Sequence, residues 1–365
     1  MKVLMVADSI CGNGIGVVVN RLYHSLNERG IQCDIVCYQD KKEYESVFLE
    51  IENDGNHIFS IPGVSKGIYA YIKNIRRICK NGNYDVIHIH TSLMIFLAAY
   101  AAKKENIKVR IGHAHGAKFF NYPEWFLKVL EPLGRFLNRR FCTNFVTCSQ
   151  DSAKYTFGKD AIFMPNYVPV NDIMEVSKKN IEILKKEFDE ECILFGYMGN
   201  LDGTKNVIFL PEVIAELNKM GIDAKLILIG QGNEMNNIKN KVIELQCEND
   251  VIFLGKKENC NELVQTFDYY LSASKTEGMS LSMVEAQMSG KPCIVSAMIP
   301  DYSDLHIGLF RKIEGFNAKQ WASVISKWIS DGYNSISREK AYGLISKNRL
   351  TENEIIDDLI KIYSE

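Results

Sequence analysis

Short apolar runs alternate with amphipathic stretches along most of this chain, and no other feature restricts its fold as much. The runs at 2–8 and 224–230 are mostly apolar, which is typical of strands buried on both faces. The stretch at 17–30 has apolar residues at helical spacing and ends at a glycine, as an amphipathic helix does. Because neighbouring parallel strands are joined by helical crossovers, this alternation predicts an α/β fold with doubly wound sheets.

The alternation occurs in two series, which indicates two domains. A polar, charged stretch at 171–191 separates the series, and we interpret it as a linker. The length of 365 residues agrees with two domains of ordinary size. We therefore predict Rossmann-like domains at 1–166 and 167–349, followed by a C-terminal helix at 350–365.

The net charge of −2 hides an asymmetry between the two parts of the chain. Residues 1–165 carry 21 Lys and Arg against 15 Asp and Glu, whereas the remainder carries 22 against 30. A basic part joined to an acidic part suggests that the two domains have different partners. A nucleic-acid binder with a uniformly basic surface does not fit this distribution, so we expect no nucleic-acid partner.

The apolar segments are too short to predict a membrane span. The longest candidate, at 92–102, has 11 residues and is interpreted as a buried helix, and the first residues do not resemble a signal peptide. Ten cysteines occur without a C-x-x-C pair, so we expect reduced thiols packed as small apolar groups. We predict a cytoplasmic protein, and peripheral attachment to the inner face of the cell membrane stays open.

Two glutamates, Glu277 and Glu285, stand in a setting that is typical of a phosphate-binding turn. A predicted strand at 269–274 precedes Glu277, and a predicted helix begins at Leu281. Ligands of doubly wound folds bind at the carboxyl ends of the strands, where helix N-termini hold diphosphates. Glu285, about one turn inside the helix, is placed to accept hydrogen bonds from both hydroxyls of a ribose. The alternative, two carboxylates that favour a helix N-terminus, is weakened by this framing.

The string at 277–292 resembles the signature of the retaining family 4 glycosyltransferases of GT-B fold: E-G, a second glutamate, then A-x-x-S-G-x-P. Further segments occur in the order of the same family, at 12–16, 88–90, 115–116, 164–166, 199–206 and 229–233. The similarity is greatest to bacterial transferases that build capsule, exopolysaccharide or O-antigen. It implies two Rossmann-like domains facing across a cleft, with the acceptor on the first domain, the nucleotide-sugar on the second, and a last helix that crosses back.

The resemblance implies a role for each matching side chain. Glu285 would hold the nucleotide ribose, and Glu277 the donor sugar. Lys205 would neutralise the diphosphate of the leaving group, so no metal or other cofactor is expected. His115 would touch the donor sugar near the reacting carbon. Glu277, Lys205 and His115 are therefore the catalytic candidates.

The resemblance also implies donor-binding positions around these side chains. They supply backbone amides, small residues or polar groups to the donor, and they are Gly14, Gly16, Asn200, Gly278, Met279, Ser280 and Leu281. One of them departs from the family pattern, because arginine is common where this chain has Asn200. The departure leaves Lys205 as the only cation evident in its loop, so either another basic residue compensates or leaving-group stabilisation is weaker.

The glycine-rich turn at 12–16 permits a second interpretation, dinucleotide binding. Asp34 follows Gly14 by twenty residues at a strand boundary, as a ribose-binding acid would. The turn has the spacing G-x-G-x-G, however, and lacks the final glycine of the G-x-G-x-x-G fingerprint. We therefore do not favour NAD as a ligand.

Four histidines form two H-x-H pairs at the ends of two predicted strands: His88, His90, His113 and His115. Residues two apart in a strand share a face, so the four imidazoles could meet at a metal. Neither carboxylates nor cysteines accompany them in a ligand pattern. We therefore predict no metal site and interpret at least two of the four as packed or hydrogen-bonded structural residues.

A basic segment with aromatic anchors lies at 118–141. Such a segment is typical of a helix at a membrane interface, and the suspected acceptors are lipid-linked. The alternative, an apolar face packed on its own domain beneath a solvated basic face, is equally open. The residues of the candidate membrane or acceptor face are Lys118, Trp125, Lys128, Arg135, Arg139 and Arg140.

These observations predict a retaining glycosyltransferase that moves a hexosyl group from a nucleoside diphosphate sugar, with uridine as the base favoured by the family. The acceptor would be a glycan or a polyprenyl-linked glycan in bacterial surface polysaccharide synthesis. Two alternatives stay open: a GT-B enzyme of another kind, such as a nucleotide-sugar epimerase or an inverting transferase, and a non-catalytic nucleotide-sugar-binding partner of a second transferase. Asn200 is the feature that favours the non-catalytic alternative.

Overall fold

The computed structural model describes residues 1–42, 44–91, 94–116, 124–188, 192–257 and 260–365. Backbone contacts divide the chain into two compact units. The N-terminal unit consists of Met1–Asn166 together with Glu352–Glu365, and the C-terminal unit consists of Tyr167–Thr351. The last segment of the chain thus belongs to the unit that holds the first.

The N-terminal unit contains a sheet whose pairings are all parallel among the described residues. The spatial order is β3-β2-β1-β4-β5-β6-β7. The chain winds outward from β1 in one direction and from β4 in the other, so the topological switch point lies between these two strands. The strands are β1 (Lys2–Val6), β2 (Gln32–Cys37), β3 (Ile58–Ser60), β4 (Val86–Ile89), β5 (Val109–Ala114), β6 (Asn144–Thr147) and β7 (Ile162–Phe163).

Helices connect these strands and cover the sheet. Their bounds are α1 (Gly14–Glu28), α2 (Glu45–Asn53), α3 (Ile68–Gly82), α4 (Ile95–Lys104), α5 (Glu124–Phe141) and α6 (Gln150–Phe157). Helix α3 shows how the sequence dictates the packing, because its buried residues Tyr71, Ile75, Ile78 and Cys79 recur at helical spacing. They join one apolar cluster with residues of β1, β4 and α4.

The C-terminal unit repeats this architecture, with parallel strands in the order β10-β9-β8-β11-β12-β13 and a switch point between β8 and β11. The strands are β8 (Ile193–Met198), β9 (Ala224–Ile229), β10 (Val251–Gly255), β11 (Tyr269–Ser272), β12 (Cys293–Ser296) and β13 (Phe310–Ile313). The helices are α7 (Val170–Met174), α8 (Lys178–Glu187), α9 (Leu210–Lys219), α10 (Met235–Glu244), α11 (Cys260–Thr266), α12 (Leu281–Met288), α13 (Ala318–Ser330) and α14 (Arg338–Lys347).

Two apolar clusters fill the two faces of this second sheet. Phe195 and Tyr197 of β8 belong to one cluster, and Leu194 and Met198 belong to the other. Alternate residues of a strand point to opposite faces, so β8 is buried on both sides. The mostly apolar composition of the strand follows from that burial.

The interpretation of 171–191 as a linker is wrong, because this stretch contains α7 and α8 within the C-terminal unit. Lys185 forms an ion pair with Asp268 at 2.9 Å, and Asn180 donates a hydrogen bond to Glu262 at 3.2 Å. Leu184 packs against one of the apolar clusters. The stretch is polar because α8 lies at the surface with only a narrow apolar side.

The last helix, α15 (Glu352–Ser364), packs on α1 of the N-terminal unit. Ser25 donates a hydrogen bond to Glu352, and Arg29 donates one to Asn353 at 2.7 Å. At the other end of the helix, the Tyr363 hydroxyl lies 2.7 Å from Nδ1 of His88. All ten cysteines are free thiols. Within the described residues, no helix combines the length and apolar character needed to cross a bilayer.

Candidate active site

The candidate site of the C-terminal unit lies at its switch point, in the loops that follow β8 and β11. The amide of Lys275, after β11, donates a hydrogen bond to the carbonyl of Thr204, after β8, at 2.8 Å. Parallel strands end at the same edge of a sheet, so the two loops meet although about 70 residues separate them in sequence. The topology therefore brings the lysine loop and the glutamate loop together.

Two close backbone approaches fix the loop after β8. A Cβ atom added to Gly230 would lie 1.9 Å from the carbonyl oxygen of Gly199, and one added to Gly232 would lie 2.2 Å from that of Leu201. The φ angle of Gly230 is also positive, at 137°. Only glycine tolerates this packing and backbone conformation, which explains the glycines of I-G-Q-G-N without any contact to a ligand.

Asp202 organises the turn that presents Lys205. Its Oδ1 accepts hydrogen bonds from the Thr204 amide at 2.9 Å, the Thr204 hydroxyl at 2.6 Å and the Lys205 amide at 3.1 Å. Burial raises the pKa of Asp202, but these hydrogen bonds outweigh it and hold the pKa below its ordinary value. Sequence reasoning missed this residue, although an aspartate two positions before a threonine is a common Asx-turn signal.

Lys205 and Glu277 form the polar centre of the site. The Lys205 ammonium lies 2.5 Å from Oε1 and 2.6 Å from Oε2 of Glu277. The Glu277 side chain is 9% exposed and the Lys205 side chain 24%, so the pair is shielded yet reachable from solvent. The Ser274 hydroxyl donates to the same carboxylate at 3.0 Å. A ligand that reaches this pair can replace the ion pair with its own hydrogen bonds to the carboxylate and the ammonium.

Helix α12 begins just beyond Glu277 and directs free amides out of its first turn. Among the described residues, the side chain of the N-cap Ser280 does not cap a backbone amide of the helix, and its hydroxyl bonds with the Ser282 hydroxyl in the first turn at 2.9 Å. The first amides of a helix have no partners within it, and they carry a partial positive charge. Lys205 reaches this switch point from the other loop, where it pairs with Glu277. A cation and a helix N-terminus at one switch point have the chemistry of a diphosphate site.

The other predicted donor positions differ in exposure. Gly278 and Leu281 are half-buried, whereas the Met279 side chain is buried. Glu285 is half-buried inside α12, and its negative charge adds to the effect of burial in raising the pKa of the Cys260 thiol. Asn200 is exposed, and its backbone carbonyl accepts a hydrogen bond from the Tyr197 hydroxyl at 3.0 Å.

Lys275 is a further cation of this region that sequence reasoning missed. Its side chain is exposed, and its amide joins the two loops of the site. Lys275 stands two residues before Glu277, and a single lysine in a predicted loop matches no motif.

The two predicted donor-binding glycines of the first turn, Gly14 and Gly16, have different roles in the N-terminal unit. Gly14 begins α1, is exposed, and has open space where a Cβ would stand. Gly16 is buried, and a Cβ on it would lie 2.6 Å from the amide nitrogen of Cys11. The Gly16 amide is already held by the Asn13 side chain at 2.8 Å. Gly14 thus remains accessible to a ligand, whereas Gly16 is required by packing.

His115 follows β5 and belongs to a cluster of four histidines. Its Nε2 lies 3.0 Å from Nδ1 of His90, and Nε2 of His88 lies 3.2 Å from Nδ1 of His113. Burial lowers the pKa of His115 to about 4 and that of His88 to about 3, so both rings are neutral at physiological pH. A neutral His115 can exchange hydrogen bonds with a sugar hydroxyl, but it brings no charge to a phosphate.

The position of Asp34 is inconsistent with dinucleotide binding. Asp34 lies near the start of β2, where it pairs with Lys2 at 2.9 Å and accepts a hydrogen bond from the Tyr84 hydroxyl at 2.6 Å. Gly14 follows the opposite, carboxyl end of β1. In parallel strands these two ends lie at opposite edges of the sheet, so Asp34 cannot bind the ribose of a nucleotide held at the glycine turn.

The described residues of the predicted membrane face on helix α5 differ in their contacts. Arg135 and Arg139 donate hydrogen bonds to the carbonyls of Tyr155 and Phe157, at 2.8 Å each, so these guanidinium groups bind α6 and its end. Lys128 and Arg140 are exposed, as are Leu133 (51%) and Phe136 (57%). Lys118 lies outside the described residues, as does the Trp125 side chain. Arg139 is exposed as well. The name α5 face is used here for Lys128 and Arg140 of the predicted face together with the exposed Leu133 and Phe136 of the same helix.

Comparison with known proteins agrees with this geometry. The model described as Glycosyltransferase Family 4 matches residues 12–159, and the model described as Glycosyl transferases group 1 matches residues 178–349. EpsF of Bacillus subtilis (strain 168), named as a glycosyltransferase, is 26% identical over 346 residues, which cover 91% of this chain and 88% of EpsF.

Two further proteins are similar over much of the chain. The UDP-Gal:alpha-D-GlcNAc-diphosphoundecaprenol alpha-1,3-galactosyltransferase of Escherichia coli is 23% identical over 261 residues, or 67% of each protein. The crystal structure of Anabaena HepE in complex with UDP has a TM-score of 0.81 at 18% identity, with complete coverage of both chains.

The two parallel sheets, the site at the second switch point and these matches define a glycosyltransferase with the GT-B fold. The family 4 model matches within the N-terminal unit, and the group 1 model matches within the C-terminal unit. The predictions of fold class and of a glycosyltransferase are thereby confirmed.

Proposed function

We propose that this protein transfers a hexosyl group, with retention of configuration, from a nucleoside diphosphate sugar to a glycan or lipid-linked glycan of a bacterial surface polysaccharide. The observation that carries the proposal is the Lys205–Glu277 pair beside the open N-terminus of α12. A cation and a helix N-terminus at one strand edge are suited to the diphosphate of such a donor. UDP is the favoured nucleotide, because it occurs in the HepE complex and in the name of the E. coli relative.

In this proposal the lysine changes partners when the donor binds. The ammonium of Lys205 leaves the Glu277 carboxylate for the diphosphate, where its charge stabilises the leaving group. Glu277 then faces the donor sugar, held in place by the Ser274 hydroxyl. Glu285, one turn inside α12, accepts hydrogen bonds from the ribose hydroxyls. His115, neutral because of its burial, hydrogen-bonds the sugar without adding charge.

The transfer itself needs little covalent chemistry from the protein. The bond between the anomeric carbon and the phosphate oxygen breaks, and the acceptor oxygen bonds to the same face of that carbon. The proton of the acceptor hydroxyl passes to the leaving phosphate. Positioning and charge stabilisation therefore account for the rate, and no metal enters this scheme.

Turnover with a panel of UDP-sugars tests the proposal. We expect one donor to release UDP, slowly when water is the acceptor and faster when a polyprenyl-diphosphate sugar is present. Nuclear magnetic resonance of the product should show the anomeric configuration of the donor. Glu277→Gln should abolish both reactions while the Glu216→Gln control on α9 retains them. An inverted product would exclude retention, and the absence of turnover with every donor would exclude transfer.

A non-catalytic role in support of another transferase is the second candidate, and exposed Asn200 favours it because the loop lacks a second cation. The two candidates differ in one measurement. A binding partner would bind a nucleotide-sugar without consuming it, whereas an enzyme would hydrolyse or transfer it. Consumption that depends on Glu277 would exclude the supporting role.

We also propose that the α5 face approaches an anionic membrane surface, where a lipid-linked acceptor is found. Lys128 and Arg140 flank the exposed Leu133 and Phe136, and each basic residue near such a surface contributes about 1 kcal/mol. Replacing Lys128 and Arg140 with glutamine should weaken sedimentation with phosphatidylglycerol vesicles several-fold at low salt. Lys239→Gln with Lys256→Gln in the C-terminal unit serves as the charge-matched control. Equal sedimentation of both double variants would exclude this surface.

A further inference from the structure

Two histidines of the buried cluster each have one ring nitrogen without a partner among the described residues. They are Nε2 of His90 and Nε2 of His113, on side chains that are 0% and 1% exposed. Buried polar atoms in folded proteins are nearly always hydrogen-bonded. Two unpaired nitrogens in one cluster therefore point to a missing ligand.

The opposite nitrogens of the same two rings are held. His113 Nδ1 lies 3.2 Å from His88 Nε2, and His90 Nδ1 lies 3.0 Å from His115 Nε2. Histidines that bind metals have this arrangement, because a ring that donates its N–H to a neighbour turns the lone pair of its other nitrogen toward the ion. His88 is itself oriented by the Tyr363 hydroxyl at 2.7 Å from its Nδ1.

The rings are also close enough to share one ion. His90 and His113 belong, with His88, to a group of residues whose ring nitrogens lie within 4.8 Å of one another. Ligand nitrogens of a tetrahedral zinc ion, with Zn–N bonds of about 2.05 Å, stand about 3.4 Å apart. Small rotations of the rings would close the difference. Burial keeps the rings neutral, and neutral imidazole is the form that binds a metal.

We propose that His90 and His113, through their Nε2 atoms, bind one first-row divalent cation in the N-terminal unit, with His88 as the positioning residue that holds Nδ1 of His113. An imidazole ligand set suits Zn²⁺, Cu²⁺ or Ni²⁺ rather than Mg²⁺ or Ca²⁺. The ion would join the ends of β4 and β5, and through His88 and Tyr363 it would also fix α15. This proposal departs from the sequence prediction of no metal, and it is independent of the proposed transfer, which uses no metal.

The test uses tag-free, full-length protein stripped with a chelator. The background variant replaces the three exposed or half-exposed histidines outside the cluster, His24→Asn, His57→Asn and His306→Asn, so that surface imidazoles bind nothing. Calorimetric titration with Zn²⁺ at pH 7.5 should give one ion per chain in this background, and Zn²⁺ should raise its Tm. Adding His113→Gln should lower the Zn²⁺ affinity at least tenfold. No binding by the background variant, or unchanged affinity after His113→Gln, would overturn the proposal.

A second measurement keeps the test decisive if His113→Gln does not fold. X-ray absorption of the zinc-loaded background variant should show at least two imidazole nitrogens at 2.0–2.1 Å from the ion. Thiolate sulfur at about 2.3 Å, from any of the ten free cysteines, would instead overturn the histidine site. A shell of oxygen atoms alone would also overturn it.

Discussion

At the scale of single residues, Gly14 and Gly16 of the first turn show that glycines of one motif can be under different packing constraints. A Cβ at position 16 would collide with backbone atoms of Ile10 and Cys11, which cannot move aside as a side chain can. A Cβ at position 14 would meet only open space. Gly16 is therefore required by packing, whereas Gly14 is the member of this pair that a ligand can reach.

Gly16→Ala should destabilise the N-terminal unit by about 1–3 kcal/mol, because the added methyl group overpacks a rigid backbone contact. Gly14→Ala should change the free energy of unfolding by less than about 0.5 kcal/mol. Urea denaturation of both variants, monitored by far-ultraviolet circular dichroism, measures the difference in free energy of unfolding. Equal stabilities for the two variants would show that the close approach of Gly16 to Cys11 is not present in solution.

At the scale of secondary structure elements, the last helix is bound to the first unit at both ends. Its N-terminal end meets α1 through Ser25 and Arg29, and its C-terminal end meets the histidine cluster through Tyr363. The helix is far from that unit in sequence and close to it in space. Residues that link α15 to the sheet therefore stabilise the N-terminal unit.

Tyr363→Phe should destabilise the protein by about 1–3 kcal/mol, since it leaves Nδ1 of His88 buried without its partner. Tyr69→Phe is the matched control, because Tyr69 is 81% exposed in the same unit and its hydroxyl is solvated. Differential scanning calorimetry should show a lower Tm for the first variant only. Identical Tm values would mean that the Tyr363–His88 hydrogen bond contributes nothing.

At the scale of the whole molecule, the histidine cluster makes stability depend on pH. Burial lowers the pKa of His88 to about 3 and that of His115 to about 4, whereas the unfolded chain titrates near the ordinary value of about 6.5. Between these limits the unfolded state binds protons that the folded state does not. Stability is therefore fully present above pH 6.5 and falls as the pH drops toward 4.

Each of these histidines should remove about 1.4 kcal/mol of stability per pH unit below 6.5. Urea denaturation of metal-free protein at pH 7.5, 6.0 and 5.0 measures the loss. The variant that lacks His24, His57 and His306 should show the same slope, because those side chains are not in the buried cluster. A stability that stays constant down to pH 5 would contradict the buried, neutral cluster.

The sequence was sufficient to predict the parallel α/β architecture, since buried strands and helical crossovers leave strong periodic signals. It also led to Glu277, because ligands of doubly wound sheets bind at strand ends, and the family resemblance added Lys205. It misjudged α8, whose narrow apolar side made a surface helix look like a linker. It did not reveal that Arg135 and Arg139 of the predicted membrane face bind carbonyls of α6, since sequence does not show which carbonyls a guanidinium meets.

Other features depend on contacts that no local pattern encodes. Asp34 has the correct spacing for a ribose-binding acid, and only the strand bounds show that it lies at the wrong end of β2. Asp202 organises the lysine loop through hydrogen bonds of the turn. The pairing of the four histidines requires the registry of β4 with β5, which a single sequence does not specify.

The most direct test of the central claim, a nucleotide-sugar site at the second switch point, is calorimetric titration of UDP into three proteins. They are the wild type, Lys205→Met, and Lys219→Met as a control whose lysine is paired with Glu216 on α9. Loss of the Lys205 charge also leaves Glu277 unpaired beside an anionic ligand, so we predict at least tenfold weaker binding, or about 1.4 kcal/mol. The control should bind as the wild type does. Equal UDP affinity in all three proteins, or preference for NAD over UDP, would contradict the account.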